Sequence, residues 1–304
     1  MTETAELFDT NIDFEEDKEE RWKRYREIVA KLRLIDDDFM SQVLNDNLPA
    51  VKCILDIVLE RDDLEVISAK TQVEYKSAAS RSIKLDVRAE DADGKLYNIE
   101  IQRSDRGAGA KRARFHSSAL DGGMLDKSQD FSELADTYVI FFTEKDTFGA
   151  GIAMYHVERK IEELDNRYFG DGSHIIYING AYRDTSTLIG KLIHDFYCDK
   201  AGDMYLPPLA EKVRYYKEDE EGNGSMCRIV EEEVRREREK GEKIGEERGV
   251  KIGEERGVKI GAKQANERTA LAMIKDGTFS LEKIANFCGL SIDEVKELAK
   301  KQSA

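Results

Sequence analysis

The sequence predicts an α/β domain built on a mixed β-sheet flanked by helices, with a long, charged, helical C-terminal extension. Two alternating segments around Asp93-Gly94 indicate a β-hairpin, because Asp-Gly favours the positive φ angles of a tight turn. Further strand-like runs lie before and after helical runs, which is typical of a mixed sheet. Beyond about residue 216, charged residues and a repeated octapeptide replace the apolar pattern.

The composition limits the class of protein. The chain has 304 residues, of which 40% are hydrophobic and 37% charged, and its net charge is −15. These values leave room for one packed domain with an appendage, and they argue against non-specific coating of nucleic acid, which needs positive charge. The charge is uneven, since residues 76–114 hold ten Lys and Arg against six Asp and Glu. This basic stretch either brings a polyanion to the acids within it or forms an ordinary solvated surface.

Cysteine usage and hydropathy predict the location of the protein. The four cysteines are far apart and form no C-x-x-C pair, so the sequence indicates neither a disulfide framework nor a zinc knuckle. No charged-then-apolar leader is present, and the apolar runs are too short to span a bilayer. We therefore expect a cytoplasmic protein without a membrane partner.

The N-terminal quarter of the chain predicts helices. Residues 1–30 form an acidic segment that we expect to be partly disordered or helical, with a helix over residues 21–34. Residues 36–44 begin with an Asp that can cap a helix, and residues 51–58 repeat apolar side chains at helical spacing. Two short strand-like runs between residues 64 and 75 then lead into the hairpin.

The hairpin comprises residues 82–88 and 95–103, which alternate apolar and polar side chains. Because successive side chains of a strand point to opposite faces, Glu100 and Gln102 share one face. Asp86 lies across the hairpin and can bring a third polar group to that face. Such a face is a candidate site for a hard divalent cation.

After the hairpin, the pattern alternates between helix and strand. A basic helix is predicted over residues 111–120 and an amphipathic helix over residues 187–196. Strands are predicted over residues 138–143, 152–157 and 175–178. With the preceding helices, these elements predict one domain over residues 31–216.

Residues 217–270 predict a charged helix with glycine repeats. The octapeptide KIGEERGV occurs at residues 243–250 and again at 251–258, and glycine recurs every four residues from Gly241 to Gly261. Each glycine costs a helix roughly 1 kcal/mol relative to alanine, so close packing against a partner helix would have to compensate. We expect a homo-oligomer that associates through this helix. A flexible spacer is the alternative.

Residues 271–304 resemble a helix-turn-helix. Ser280 can cap the first helix, Gly289 is placed to end it, and Ser291 with Glu294 forms a capping box for the second helix. The segment is either a small DNA-contacting module or a two-helix cap of the repeat helix. The second helix is not strongly basic, which favours the cap.

The polar face of the hairpin suits phosphodiester hydrolysis. Magnesium prefers oxygen ligands, which Asp86, Glu100 and the carbonyl of Ile101 can provide, and Mn²⁺ can replace it. Gln102 can orient an attacking water but supplies no charge. Three basic side chains are candidates for binding the substrate phosphate, with solvated surface charge as the alternative: Lys84, Arg112 and Arg114.

Four stretches of the chain carry a family resemblance. They are Asp86, IEIQ at residues 99–102, RARFH at residues 112–116 and TYVIFFTEKD at residues 137–146. Together they resemble the PD-(D/E)XK nuclease superfamily, in particular its branch of recombination-promoting nucleases and transposases. The resemblance covers roughly residues 34–216, and the glycine-repeat tail is similar to tails found in that branch.

The resemblance implies a restriction-endonuclease-like core, Mg²⁺ dependence and DNA cleavage linked to recombination or transposition. It makes Asp86 and Glu100 metal ligands and Gln102 the substitute for the lysine of the family motif. We therefore expect a Mg²⁺-dependent endodeoxyribonuclease. The alternative is a catalytically weak or inactive nuclease-fold protein that acts as a DNA- or protein-interaction module through its helical tail.

The histidines offer no rival chemistry. His116, His156, His174 and His194 show no H-E-x-x-H spacing, and no nucleophile elbow is present. Only His116, on the basic helix, is near the hairpin, and we expect it to make a packing or phosphate contact.

Overall fold

The computed structural model describes residues 18–75, 83–103, 109–122, 124–125 and 128–303. The chain divides into two compact units, Met1–Glu233 and Val234–Ala304. The first part of the acidic segment predicted over residues 1–30 lies outside the described residues. The domain boundaries predicted at residues 30, 216 and 270 stay predictions.

Three helices begin the first unit: α1 (Lys18–Lys31), α2 (Asp37–Leu44) and α3 (Leu48–Val58). The chain breaks between α2 and α3 because Asn47 caps the third helix, accepting a hydrogen bond from the Ala50 N–H at 3.3 Å. Pro49 lies in the first turn of α3, where a missing N–H costs nothing. The helices predicted over residues 21–34, 36–44 and 51–58 are confirmed, with shifted ends.

An antiparallel meander follows, made of β1 (Val66–Tyr75), β2 (Ile83–Asp91) and β3 (Leu96–Gln102). The predicted hairpin is confirmed, and Gly94 in its turn has φ +81°. The two strand-like runs predicted between residues 64 and 75 are one strand. Gln72 interrupts their pattern because it takes φ +56° inside β1 and donates its side-chain N–H to Ser41 Oγ at 2.8 Å.

The sheet is completed by parallel strands and an antiparallel edge. Helix α4 (Ala110–Asp121) leads to β4 (Thr137–Thr143), β5 (Met154–Val157), the small β6–β7 hairpin (Lys160–Ile161 and Arg167–Tyr168) and β8 (Ser173–Asn179). In the described residues the main sheet has six strands in the order β1-β2-β3-β4-β8-β5, with β3, β4 and β8 parallel. The predicted mixed sheet is therefore confirmed, and the hairpin lies near its middle.

Helices cover both faces of the sheet. On one face, Ala113 and Leu120 of α4 pack with Val139, Phe141 and Tyr177, and all five are buried. On the other face, Phe142 of β4 stacks on Phe196 of α5 (Leu188–Tyr197), with ring centroids 4.1 Å apart. Each fully buried Phe contributes about 1.5–3 kcal/mol from burial. Helix α6 (Pro207–Glu218) follows, with two prolines at its start.

The C-terminal part of the chain is helical. Helix α7 spans Glu220–Asp276, and α8 (Leu281–Cys288) and α9 (Ile292–Ser303) follow. Ile284, Cys288 and Val295 of these short helices are buried in one cluster with Ala270 of α7. The predicted caps are present: Gly289 has φ +63°, and the Ser291 hydroxyl accepts from the Glu294 N–H. This packing is that of a cap on the end of α7, and a DNA contact stays a prediction.

A helix that crosses a membrane must be both long and apolar. Among the described residues, none of the helices combines the length and apolar character that a membrane crossing requires.

Candidate active site

The candidate site forms where β2 and β3 diverge. Their backbone pairing runs from Glu90 and Leu96 to Val87 and Ile99 and stops before Asp86. Beyond that point, hydrogen bonds from side chains take the place of backbone hydrogen bonds between the two strands. The Asp86 N–H donates to Glu100 Oε1 at 3.2 Å, and the Ile101 N–H donates to Asp86 Oδ2 at 2.9 Å. The two carboxylates are thereby held between the strands, as the alternation of the sequence predicts.

The backbone of Ile101 contributes to the same place. In a strand, the N–H and C=O of one residue point to the same neighbouring strand. Because the Ile101 N–H points at Asp86, the Ile101 carbonyl points toward β2 as well. The structure therefore brings together all three predicted oxygen donors: Asp86, Glu100 and the Ile101 carbonyl.

The two carboxylates are placed at an electrostatic cost. Glu100 is fully buried and Asp86 is half-buried. Burial raises the pKa of Asp86, and the neighbouring Glu100 charge raises it further. Two negative charges in this position need positive charge close by. A divalent cation bound by hard oxygen donors would supply it, so the residues present fit Mg²⁺ or Mn²⁺.

Arg112 of α4 joins this cluster. Its guanidinium donates to Glu100 Oε2 through Nη2 and to Gln102 Oε1 through Nη1, both at 3.3 Å. Helix α4 packs on the sheet face that carries Glu100, so the first turn of the helix lies beside the end of β3. The Arg112 side chain is 41% exposed, which leaves part of the guanidinium open to a ligand.

His116, one turn further along α4, is buried behind Arg112. Its Nε2 accepts from Arg112 Nε at 3.3 Å, so the ring proton lies on Nδ1, which is 3.5 Å from Glu100 Oε1. Asn98 Nδ2 lies 3.3 Å from that nitrogen, while Asn98 Oδ1 is buried without a partner among the described residues. A 180° turn of the amide lets Oδ1 accept from His116 Nδ1. His116 thus orients Arg112, and its Nδ1 lies beside both Asn98 and Glu100.

The other predicted phosphate-binding residues lie apart from the carboxylates. Lys84 and Arg114 are exposed. Within the described part of the chain, neither makes a hydrogen bond or ion pair with Asp86, Glu100 or Gln102. Their proposed role depends on a bound substrate.

Sequence reasoning missed Asp37, the first residue of α2. Burial and the Asp38 charge raise the pKa of Asp37 to about 6, and the Glu100 charge is a smaller contributor. The charge of Asp37 in turn adds to the raised pKa of Asp86, so the three carboxylates lie close enough to interact. A buried ion pair fixes the start of α2 here, since Arg103 Nη1 lies 2.6 Å from Asp36 Oδ1. The available signal was the Asp36-Asp37-Asp38 run, which on its own indicates only the start of a helix.

Comparison with known protein families agrees with the resemblance stated from the sequence. Residues 53–181 match the model of a family described as PD-(D/E)XK nuclease family transposase. The matched segment begins within α3 and ends after β8, so it contains Asp86, Glu100, Gln102, Arg112 and His116. It does not include Asp37 or the helical tail. No curated protein and no solved structure gives a significant match.

Proposed function

We propose that this chain, whose residues 53–181 form a PD-(D/E)XK nuclease family transposase domain, is a divalent-metal-dependent DNA endonuclease acting in recombination or transposition. One observation carries the proposal. The Asp86 N–H donates to Glu100 Oε1 and the Ile101 N–H donates to Asp86 Oδ2 where two central strands diverge, so two carboxylates and the Ile101 carbonyl lie close together. Hard oxygen donors in this number suit Mg²⁺, with Mn²⁺ as a substitute.

Each residue has a proposed role. Asp86, Glu100 and the Ile101 carbonyl would hold Mg²⁺, which when bound lowers the pKa of a water and offsets charge on the scissile phosphate. Gln102 orients the attacking water through its amide. Arg112 holds Glu100 in place and presents its exposed edge to a phosphate oxygen.

Three further residues extend the site. Lys84 and Arg114 are exposed cations on the elements that carry Asp86 and Arg112, where they can contact the DNA backbone on either side of the cut. Asp37 contributes a third carboxylate from the start of α2. Its exposed surface makes it accessible to solvent and to a ligand.

Cleavage of supercoiled plasmid tests the proposal. The full chain with Mg²⁺ or Mn²⁺ should nick the plasmid, and chelation should stop it. Glu100→Gln should slow nicking at least about 100-fold, since a metal ion contributes several kcal/mol and about 1.4 kcal/mol is tenfold in rate. Asp93→Asn, in the exposed turn of the same hairpin, is the matched control and should cut like wild type. Intact plasmid with wild-type protein, or equal nicking by Glu100→Gln, would refute a nuclease at this site.

A second candidate is a nuclease-fold interaction module without strong catalysis. Gln102 favours it, because an amide cannot supply the positive charge of a lysine, and its oxygen is engaged by Arg112. Under this reading, deletion of residues 226–304 abolishes function in cells while Glu100→Gln has no effect. Loss of function with Glu100→Gln, together with function that survives deletion of residues 226–304, identifies the endonuclease.

We also propose that α7 mediates self-association. With about 100° of rotation per residue, Gly249, Val250, Gly253, Gly257 and Ile260 fall within one arc of about 100° on the helix. Val250 and Ile260 are 56% and 58% exposed, so both ends of this glycine patch present apolar surface. A second copy could approach closely there. The four cysteines are free, which agrees with the cytoplasmic location we propose.

A further inference from the structure

A second group of metal-binding side chains lies at the C-terminal end of α5. His194 and Cys198 are four residues apart, so they share one side of the helix end, and Asp195 follows His194. His194 Nδ1 is 3.2 Å from Asp195 Oδ1 and 3.3 Å from Cys198 Sγ. All three donor atoms lie within 4.8 Å of one another.

We propose that His194, Asp195 and Cys198 bind a transition-metal cation of the zinc class. In a tetrahedral zinc site, bonds of about 2.0–2.1 Å to N or O and about 2.3 Å to S separate the donors by roughly 3.3–3.6 Å. Two of the three donor separations are already within a few tenths of an ångström of these values. The third separation is no more than 4.8 Å, so it would have to shorten when a cation binds.

Hydrogen bonds use only one of the two contacts of His194 Nδ1, and the Cys198 thiol has a long alternative contact to the Asp203 carbonyl at 3.8 Å. His194 Nδ1 faces a carboxylate oxygen and a thiol sulfur together. When Nδ1 is protonated it donates to Asp195, and then it cannot accept from the Cys198 thiol. A cation ligated by the neutral imidazole, the carboxylate and the thiolate satisfies all three groups at once.

The carboxylate is held rigidly in place. Asp195 is fully buried, and its two oxygens accept the Tyr205 N–H at 2.9 Å and the Leu206 N–H at 2.8 Å. Each oxygen retains a lone pair for a metal. This outer support fixes the ligand and connects the site to the start of α6.

The surroundings favour positive charge. Three carboxylates, those of Asp195, Asp203 and Asp199, lie close enough for their charges to act on the Cys198 thiol. The same acidic groups that disfavour a free thiolate attract a cation. A nucleophilic cysteine would need the opposite environment.

A cavity gives access to the cluster. Its volume is about 210 Å³, and His194, Tyr197, Cys198 and Arg183 are among the residues lining it. The Tyr197 hydroxyl is buried without a hydrogen-bond partner among the described residues. The cavity has room for a water as fourth ligand, and Tyr197 is one of its lining residues.

The donor set separates this site from the proposed nuclease site. Imidazole and thiolate suit zinc and its neighbours, whereas Mg²⁺ prefers oxygen alone. The inference therefore does not rest on the proposed nuclease activity, and each can fail without the other.

Cobalt titration of the metal-free full chain tests the site. Co²⁺ should produce a thiolate-to-metal charge-transfer band and the visible bands of tetrahedral cobalt, and Zn²⁺ should displace it. Cys198→Ser should abolish the charge-transfer band, and His194→Ala should weaken affinity at least about 10-fold. Cys227→Ser and His174→Ala are matched controls that should keep both the charge-transfer band and the affinity. A missing band in wild type, or a band that survives Cys198→Ser, would overturn the proposal.

Alkylation of the unmodified sequence gives a second readout that needs no variant. Zn²⁺ should slow alkylation of Cys198, followed by peptide mass spectrometry, and should leave the rate at Cys53 unchanged. Equal rates at Cys198 with and without Zn²⁺ would also overturn the proposal.

Discussion

The family resemblance aligns Gln102 with a lysine of the motif, and the structure places a different cation beside this amide. Arg112 Nη1 donates to Gln102 Oε1 at 3.3 Å, so a cationic group already lies beside the amide. A lysine at residue 102 would place a second positive charge against this guanidinium. Arg112 therefore supplies, from α4, charge that the strand itself does not carry.

The role of Gln102 in orienting water leads to a kinetic prediction. Gln102→Ala should lower the rate of plasmid nicking about 10-fold or more while leaving Mn²⁺ affinity unchanged, because the amide positions a reactant and is not a ligand. Gln129→Ala, in an exposed loop, controls for loss of an amide. A fall in metal affinity equal to the fall in rate would show that Gln102 is a ligand instead.

Asp37 was found only from the structure, and it leads to a second prediction. Asp37→Asn should weaken Mn²⁺ binding about 10-fold and slow nicking, since it removes one of three interacting carboxylates. Asp38→Asn is the matched control, because the exposed Asp38 follows it in the same turn of α2. If both variants bind Mn²⁺ like wild type, Asp37 has no part in the site.

At the scale of elements, the divergence of β2 and β3 forms the site. Continued pairing would bury the Ile101 N–H in a ladder bond and close the space between the carboxylates. Asp86 and Glu100 replace that ladder with side-chain hydrogen bonds of 2.9 and 3.2 Å. The positive φ of Gln72 places an irregularity in β1 beside the same part of β2.

In helix α7, apolar residues that are close in the sequence repeat lie on different sides of the helix. Val250 and Ile252 are neighbours in the repeat, yet at about 100° per residue they lie about 160° apart around the helix. The apolar residues of the repeat therefore do not form one continuous stripe. The part from Gly249 to Ile260 combines three glycines with Val250 and Ile260 in one arc, while Gly241, Gly245 and Ile252 lie on the adjacent side of the helix.

This geometry leads to a prediction about association. Leucine at Gly253 and Gly257 together should abolish self-association in sedimentation equilibrium, because the added side chains block close approach. Leucine at Gly241 and Gly245, outside the arc, should leave it intact. A Cβ at any of the four meets nothing within 4 Å in the single chain, so both double variants fit the helix. Equal behaviour of the two variants, or a monomeric wild type, would contradict the proposed interface.

At the scale of the whole molecule, the fold followed from local patterns. Alternation around Asp93-Gly94 predicted the hairpin, and the run of mostly apolar residues from Tyr138 to Thr143 predicted a buried strand. These signals are local because strand faces and turn residues are set by near neighbours. The hairpin therefore also predicted the Asp86, Glu100 and Gln102 face.

Contacts between distant residues could not be predicted in the same way. Asp37 comes near the hairpin acids because the Asp36–Arg103 ion pair holds the start of α2 at the end of β3, and no sequence periodicity indicates this. Arg112 reaches Glu100 because of where α4 lies on the sheet. His194 and Cys198 have no recognised motif spacing, and their proximity to Asp195 depends on the helix ending there.

Binding of Mn²⁺, followed by electron paramagnetic resonance, tests the central claim that the divergence of β2 and β3 forms a divalent cation site. Wild-type protein should bind Mn²⁺, Asp86→Asn should bind it at least about 10-fold more weakly, and Asp93→Asn should bind it like wild type. Absence of binding by wild type, or equal binding by Asp86→Asn, would contradict the account.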